Sequence, residues 1–254
     1  MNDGSPAGTD LPATATGAAL IIGAGDATGG AIAKRFANGG LIACVARRHA
    51  DKLEPLLAEI RQAGRQAHGF GCDARREEAV VELVDRIERD IAPIEVLVFN
   101  IGANVPCSIL DETARKYFKI WEMACMAGFL CGREVAKRMV TRGRGTIIFT
   151  GATAGVRGAS GFAAFAGAKH ALRALAQSMA RELGPRGLHV SHVVVDGAID
   201  TEFIRENLPE RYATKAEDGI LNPQHIAENY WHLHQQPRDA WTHELDLRPW
   251  SERW

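Results

Sequence analysis

The 254-residue chain has no excess of either charge: 30 Lys and Arg stand against 31 Asp and Glu, for a formal net charge of −1. That balance gives no electrostatic case for a nucleic-acid partner. Five cysteines (44, 72, 107, 125 and 131) form no CxxC pair, which argues against a zinc site and a disulfide framework. The nine histidines show no HExxH-like spacing, so no metal centre is expected. No apolar run approaches the ~18 residues needed to cross a bilayer, which argues against a membrane protein. The opening residues lack a basic stretch followed by an apolar run, so no secretory signal is expected, and free thiols fit a reducing cytoplasm. Residues 1–16, rich in Ala, Thr, Gly and Pro, are expected to form a flexible tail. Residues 17–254 are enough for one substantial core, read as a single domain.

What is there is alternation. Apolar runs at 18–22, 41–46, 67–72, 94–99, 146–150, 188–195 and 241–247 read as seven strands, several too continuous for a half-exposed sheet. Between them Leu53, Leu56, Leu57 and Ile60 recur at helical spacing, as do Val80, Leu83, Val84 and Ile87. Gly39, Gly40 and Gly64 follow the first two helices, where a left-handed cap favours glycine. Alternating strand and helix with right-handed crossovers predicts an α/β, doubly wound parallel sheet, a Rossmann fold with helices on both faces.

The turn after the first strand holds Gly23, Gly25, Thr28 and Gly29 and opens a helix. Glycines there let the backbone approach a pyrophosphate, and the helix start adds amides and positive dipole. The second strand ends in Arg47 and Arg48. Arginine at that place suits a 2′-phosphate, which favours NADP; NAD stays open because Asp26 can pair with either arginine.

With Gly23 and Gly29 in the turn, Asn100 and Gly102 after the fourth strand, and Lys169 in a later helix, the chain resembles the short-chain dehydrogenase/reductase family over about nine-tenths of its length. The resemblance implies a nicotinamide-dependent oxidoreductase acting on a small molecule. It puts Asp73 at the adenine and Asn100 and Gly102 in the loop lining the cofactor. Gly197, Ile199 and Thr201 fall in the loop that holds the carboxamide. Ala27 replaces a family glycine, and Asp196 stands where the family usually has proline. The resemblance also gives the reacting end four polar groups, of which this chain keeps one. Lys169 matches the lysine, whereas Phe165 falls on the tyrosine, Ala152 on the serine and Ala124 on the asparagine. The atypical set leaves three readings: an oxidoreductase with altered proton transfer, a non-catalytic nucleotide-binding oligomer acting through partner contacts, or a cofactor-independent lyase or isomerase.

Replacement donors considered are Asp196, Cys107, Asn104 and Tyr212, each also readable as a turn or packing residue. Lys169 itself could titrate if burial lowers its pKa. Thr150 and Thr153 flank Ala152, the first expected in a strand and the second one residue out of register. His170 points away from Lys169 by about 100° round the helix. Small residues at 121–133 and 163–183 match the family's subunit-pairing helices, so a homodimer or homotetramer is expected. Residues 202–220, polar and interrupted by Pro209, read as a substrate lid. The two tryptophans near the C-terminus, Trp250 and Trp254, are expected to pack on a neighbour or a pocket mouth.

Overall fold

Strands buried on both faces favour apolar side chains at most positions, and the chain largely supplies them, with His189, Ser191 and His192 the buried polar residues of the sixth strand. β1 (Ala18–Ile22) and β6 (Leu188–Val195) are buried from end to end. The structure, a computed structural model, describes residues 17–253. The expected tail 1–16 and Trp254 lie outside the described residues. With β2 (Ile42–Arg47), β3 (Ala67–Gly71), β4 (Ile94–Phe99), β5 (Gly145–Thr150) and β7 (Glu244–Leu247), these strands form one parallel sheet. Its order is β3-β2-β1-β4-β5-β6-β7. The doubly wound sheet read from the sequence is what the chain forms.

Helices cover both faces. α1 (Thr28–Asn38), α2 (Glu54–Gln62) and α9 (Pro223–Gln235) bury Ile32, Phe36, Leu57, Ile60 and Tyr230 on one side. α3 (Glu77–Asp90), α5 (Ala127–Arg142) and α6 (Ala163–Leu183) bury Val84, Ile87, Leu130 and Leu172 on the other. Each fully buried side chain of this size stabilises the fold by about 1.5–3 kcal/mol. α4 (Ala114–Trp121) runs into α5 through a π turn, Glu122–Met126. Two short helices, α7 (Glu202–Asn207) and α8 (Pro209–Ala213), and a 3-10 turn at Thr214–Glu217 fill the segment read as a lid, with Pro209 starting the second helix.

Several boundaries differ from the sequence reading, those of β3 (ending at Gly71, not 72) and β5 (starting at Gly145, not 146) by one residue. β7 begins at Glu244 rather than 241, because Trp241 instead stacks on His189 with ring centroids 4.9 Å apart. Gly40 (φ 94°), not Gly39, supplies the left-handed residue after α1. β2 starts one residue later than expected and runs on to Arg47. Trp250 is 79% exposed, and its indole N–H donates to Glu217 O at the end of the segment read as a lid.

Candidate active site

From β1 the sheet grows in both directions, so the loops leaving β1 and β4 diverge and open a crevice at the strands' carboxyl ends. A cavity of about 540 Å³ occupies it, running from Gly25 and Thr28 to Phe165, Lys169 and Gly197. A smaller cavity of about 260 Å³ adjoins it, lined by Arg47, Arg48, Asp73 and Met123. Gly23, Gly25, Asn100, Ile101 and Gly102 line both.

The turn between β1 and α1 is walled by backbone. Gly23 has φ 85°, and a Cβ there would lie 2.7 Å from Asn100 O. A Cβ on Gly29 would lie 2.6 Å from Gly23 O, whereas Gly25 faces open space. Asn100 Nδ2 donates to Gly23 O at 3.2 Å and ties the β4 loop to this turn. Ala27 caps α1 and offers no side-chain acceptor, and the first turn of α1 carries no acidic residue. The first amides of α1 therefore have no side-chain partner, an arrangement that suits an anionic group such as a pyrophosphate.

Arg47 bonds loosely, to Lys52 O at 3.4 Å and to Asp26 at 3.9 Å. Asp26 is 97% exposed along its side chain, so the pair holds Arg47 weakly. Arg48 is exposed. Asp73 is gripped by Arg75 at 2.8 and 2.6 Å; these hydrogen bonds hold its carboxyl below the usual carboxylate range.

At the other end Lys169 is 2% exposed. Its Nζ donates to Thr150 O at 2.8 Å and Ile101 O at 3.1 Å. An ammonium has three donors, so one remains for a ligand in the cavity. Burial lowers its pKa to about 8, with Cys125 acting weakly in the opposite direction. The Phe165 ring centre lies 5.8 Å from Nζ and offers only its face. Ala152 and Phe162 extend the apolar wall. Ala124 is fully buried in one cluster with Phe165 and Ala168. Its neighbour Cys125, on the same π turn, lies near enough to Lys169 to act on its charge. The sequence reading passed over it.

Thr150 lies in β5, its hydroxyl sharing a 2.8 Å hydrogen bond with the buried Tyr230. Thr153 lines the cavity and donates to Asp196. Thr201 caps α7, accepting from Ile204 N at 3.2 Å. Gly197 (φ 148°) and Ile199 line the cavity, and Ile199 bridges to Leu221. Asn104 and Arg157, both exposed, also line it. Cys107 belongs to a loop bonded to Gly161 O, and Tyr212 borders a separate cavity beside α7. His170 is exposed and bonds Ala166 O. Behind Gly151 stands His192, fully buried, with Nδ1 on Glu244 and Nε2 unpartnered. A Cβ on Gly151 would lie 2.4 Å from that nitrogen. Desolvation lowers the His192 pKa to about 4. Its role was not visible in the sequence, because it depends on which strands become neighbours.

Among the described residues no cluster of three or more His, Cys, Asp or Glu could hold a metal, and no helix is long and apolar enough to cross a membrane.

Residues 17–211 match the short chain dehydrogenase family model. A short-chain dehydrogenase/reductase of Armillaria gallica is 32% identical over 176 residues, covering 68% of this chain and 67% of that protein. The short-chain reductase protein NovJ of Streptomyces niveus is 30% identical over 211 residues, covering 83% and 79%. Among solved structures, a short-chain dehydrogenase from Rhodopseudomonas palustris superposes with a TM-score of 0.80 at 45% identity, covering 92% of this chain and 99% of that one.

Proposed function

The chain belongs to the short-chain dehydrogenase family, and on that premise we propose that it is an NADP(H)-preferring oxidoreductase of a small organic molecule, with an altered proton-transfer apparatus. The observation that carries this reading is one cleft with two ends: an uncapped, glycine-walled helix start, and a buried lysine with a donor to spare.

The residues present fit a nicotinamide dinucleotide. Gly23, Gly25, Thr28 and Gly29 would receive the pyrophosphate, and Arg47 and Arg48 a 2′-phosphate. Asp73 would face the adenine, with Asn100 and Gly102 along the middle. Lys169 would hold the nicotinamide ribose, and Gly197, Ile199 and Thr201 the carboxamide. The bound nicotinamide would supply or accept a hydride. Phe165, Ala152 and Ala124 would shape an apolar wall at the reacting end and exclude water there. Residues 202–220 would close over the substrate, and α5 and α6 would pair subunits into a homodimer or homotetramer.

A positioned general acid contributes about 10²–10⁴-fold, and one oxyanion-type donor about 10²–10³-fold. Their loss removes roughly 5–10 kcal/mol of help for ketone reduction. A substrate that needs no strong acid escapes that loss, which is why iminium ions and conjugated alkenes suit the site better than plain ketones. The same substitution of Phe165 and Ala152 favours a second reading, a nucleotide-binding protein without turnover.

Calorimetry with NADPH and NADH tests the cofactor assignment, with NADPH expected to bind more tightly. Stopped-flow consumption of NADPH by iminium ions and enones then separates turnover from binding alone. Absence of association with either nucleotide would overturn both readings.

A further inference from the structure

Besides the bare wall of Phe165 and Ala152, the reacting end carries a polar pair, half-buried Thr153 on buried Asp196. Thr153 opens the 3-10 turn Thr153–Gly155 and lines the cavity. Its Oγ1 donates to Asp196 Oδ1. Asp196 is 5% exposed, and its N–H donates to Leu247 O at 2.8 Å, prolonging the β6–β7 ladder in a way no proline could. Val195 and Gly197, on either side of it, line the cavity. The pair thus joins the loops after β5 and β6, the two that frame the reacting end.

The direction of that hydrogen bond decides what the site can take. A carboxylate only accepts, so the single Thr153 proton is committed to Asp196 and the remaining lone pairs of Oγ1 act as acceptors. A ketone oxygen set against them meets acceptor with acceptor. A hydroxyl or an N–H meets a partner, with an ionised group behind it. Neither Ala152, Ala154, Phe162 nor Phe165 has a polar side-chain atom to offset the mismatch; the spare Lys169 donor is taken by the nicotinamide ribose in the proposed complex, and Asn104 and Arg157 are exposed.

We propose that Thr153 and Asp196 form a specificity element that accepts a hydrogen bond from the substrate's reacting group, so that the site takes an alcohol or an N–H iminium in preference to the ketone of the same skeleton. The inference rests on the oxidoreductase reading, and its test keeps the two apart. Three benzo-fused six-ring probes of similar size, 1-tetralone, 1-tetralol and the 3,4-dihydroisoquinolinium ion, are titrated by calorimetry into the full chain with and without NADPH. If NADPH itself fails to associate, the oxidoreductase reading falls while probe preference is still read on the free protein.

The alcohol and the cation are expected to bind at least about tenfold more tightly than the ketone. Thr153→Val, of nearly equal volume, should bring the alcohol to within about twofold of the ketone. Asp196→Asn can donate to Oγ1 and turn the threonine proton outwards, so it should reverse the order in favour of the ketone. Equal or tighter binding of the ketone by the unaltered protein would overturn the proposal, as would failure of all three probes to bind. A preference that survives Thr153→Val would also sink it. Preference for the cation but not the alcohol would assign the effect to the Asp196 charge alone and overturn the hydrogen-bond assignment.

Discussion

At the nucleotide end of the cleft the groups facing a ligand are largely backbone: the amides opening α1 and the open face of Gly25. At the reacting end they have to be side chains, and there Phe165 and Ala152 present only carbon. At the first end the methyl of Ala27 removes no amide. The second loses a proton with every hydroxyl removed. A fold can therefore keep its affinity for a nucleotide while the chemistry beside it drifts, since the two are encoded in different atoms.

The most direct way to break that contrast is to restore the missing hydroxyls. Phe165→Tyr with Ala152→Ser should raise the single-turnover rate of ketone reduction by about 10⁴–10⁷-fold while leaving the NADPH dissociation constant unchanged. No gain in stopped-flow would mean that the reacting end differs by more than these two groups.

A second, smaller effect belongs to stability. His192, buried behind Gly151, has its pKa lowered to about 4 from 6.5, so the unfolded chain binds this proton first as pH falls. Stability should drop between about pH 6.5 and 4, by on the order of 3 kcal/mol, and level off for this group below that window. Urea titrations across pH should show a shallower slope in His192→Gln. An unchanged slope would assign the loss to other groups.

Lys169→Met tests where the two ends meet. Removing one charged donor should weaken NADPH binding by about 10–100-fold in calorimetry while keeping the helix folded. Smallest is the effect of Arg47→Ser: about 3–10-fold weaker NADPH with NADH unmoved, because this arginine is held loosely and partly in solvent. Equal losses for both nucleotides would place Arg47 away from the 2′-phosphate.

How legible these features are in the sequence follows from how local they are. β1 is a continuous apolar run and β6 a largely apolar one broken by His189, Ser191 and His192, and both strands emerge where the pattern puts them. Gly23 and Gly29 are read from one turn and lie together in it. The start of β7 is obscured because Trp241 is as apolar as a strand residue, yet is recruited by His189 across the sheet edge. The Thr153–Asp196 bond joins residues 43 positions apart, and His192 reaches Gly151 only because β5 and β6 pair. Cys125 escapes notice for a different reason: the π turn inserts a residue that a period of 3.6 does not anticipate.

That extra residue makes the helix from Ala114 to Arg142 longer by one step than its own winding requires. Excising a single amino acid between Glu122 and Met126 would let the bulge anneal into regular α-helix. Everything on its N-terminal side, Tyr117 against Gly167 included, would swing round the axis by about 100°. The cluster that backs Phe165 is thus clocked by an insertion, and a one-codon deletion there would be far costlier than most substitutions.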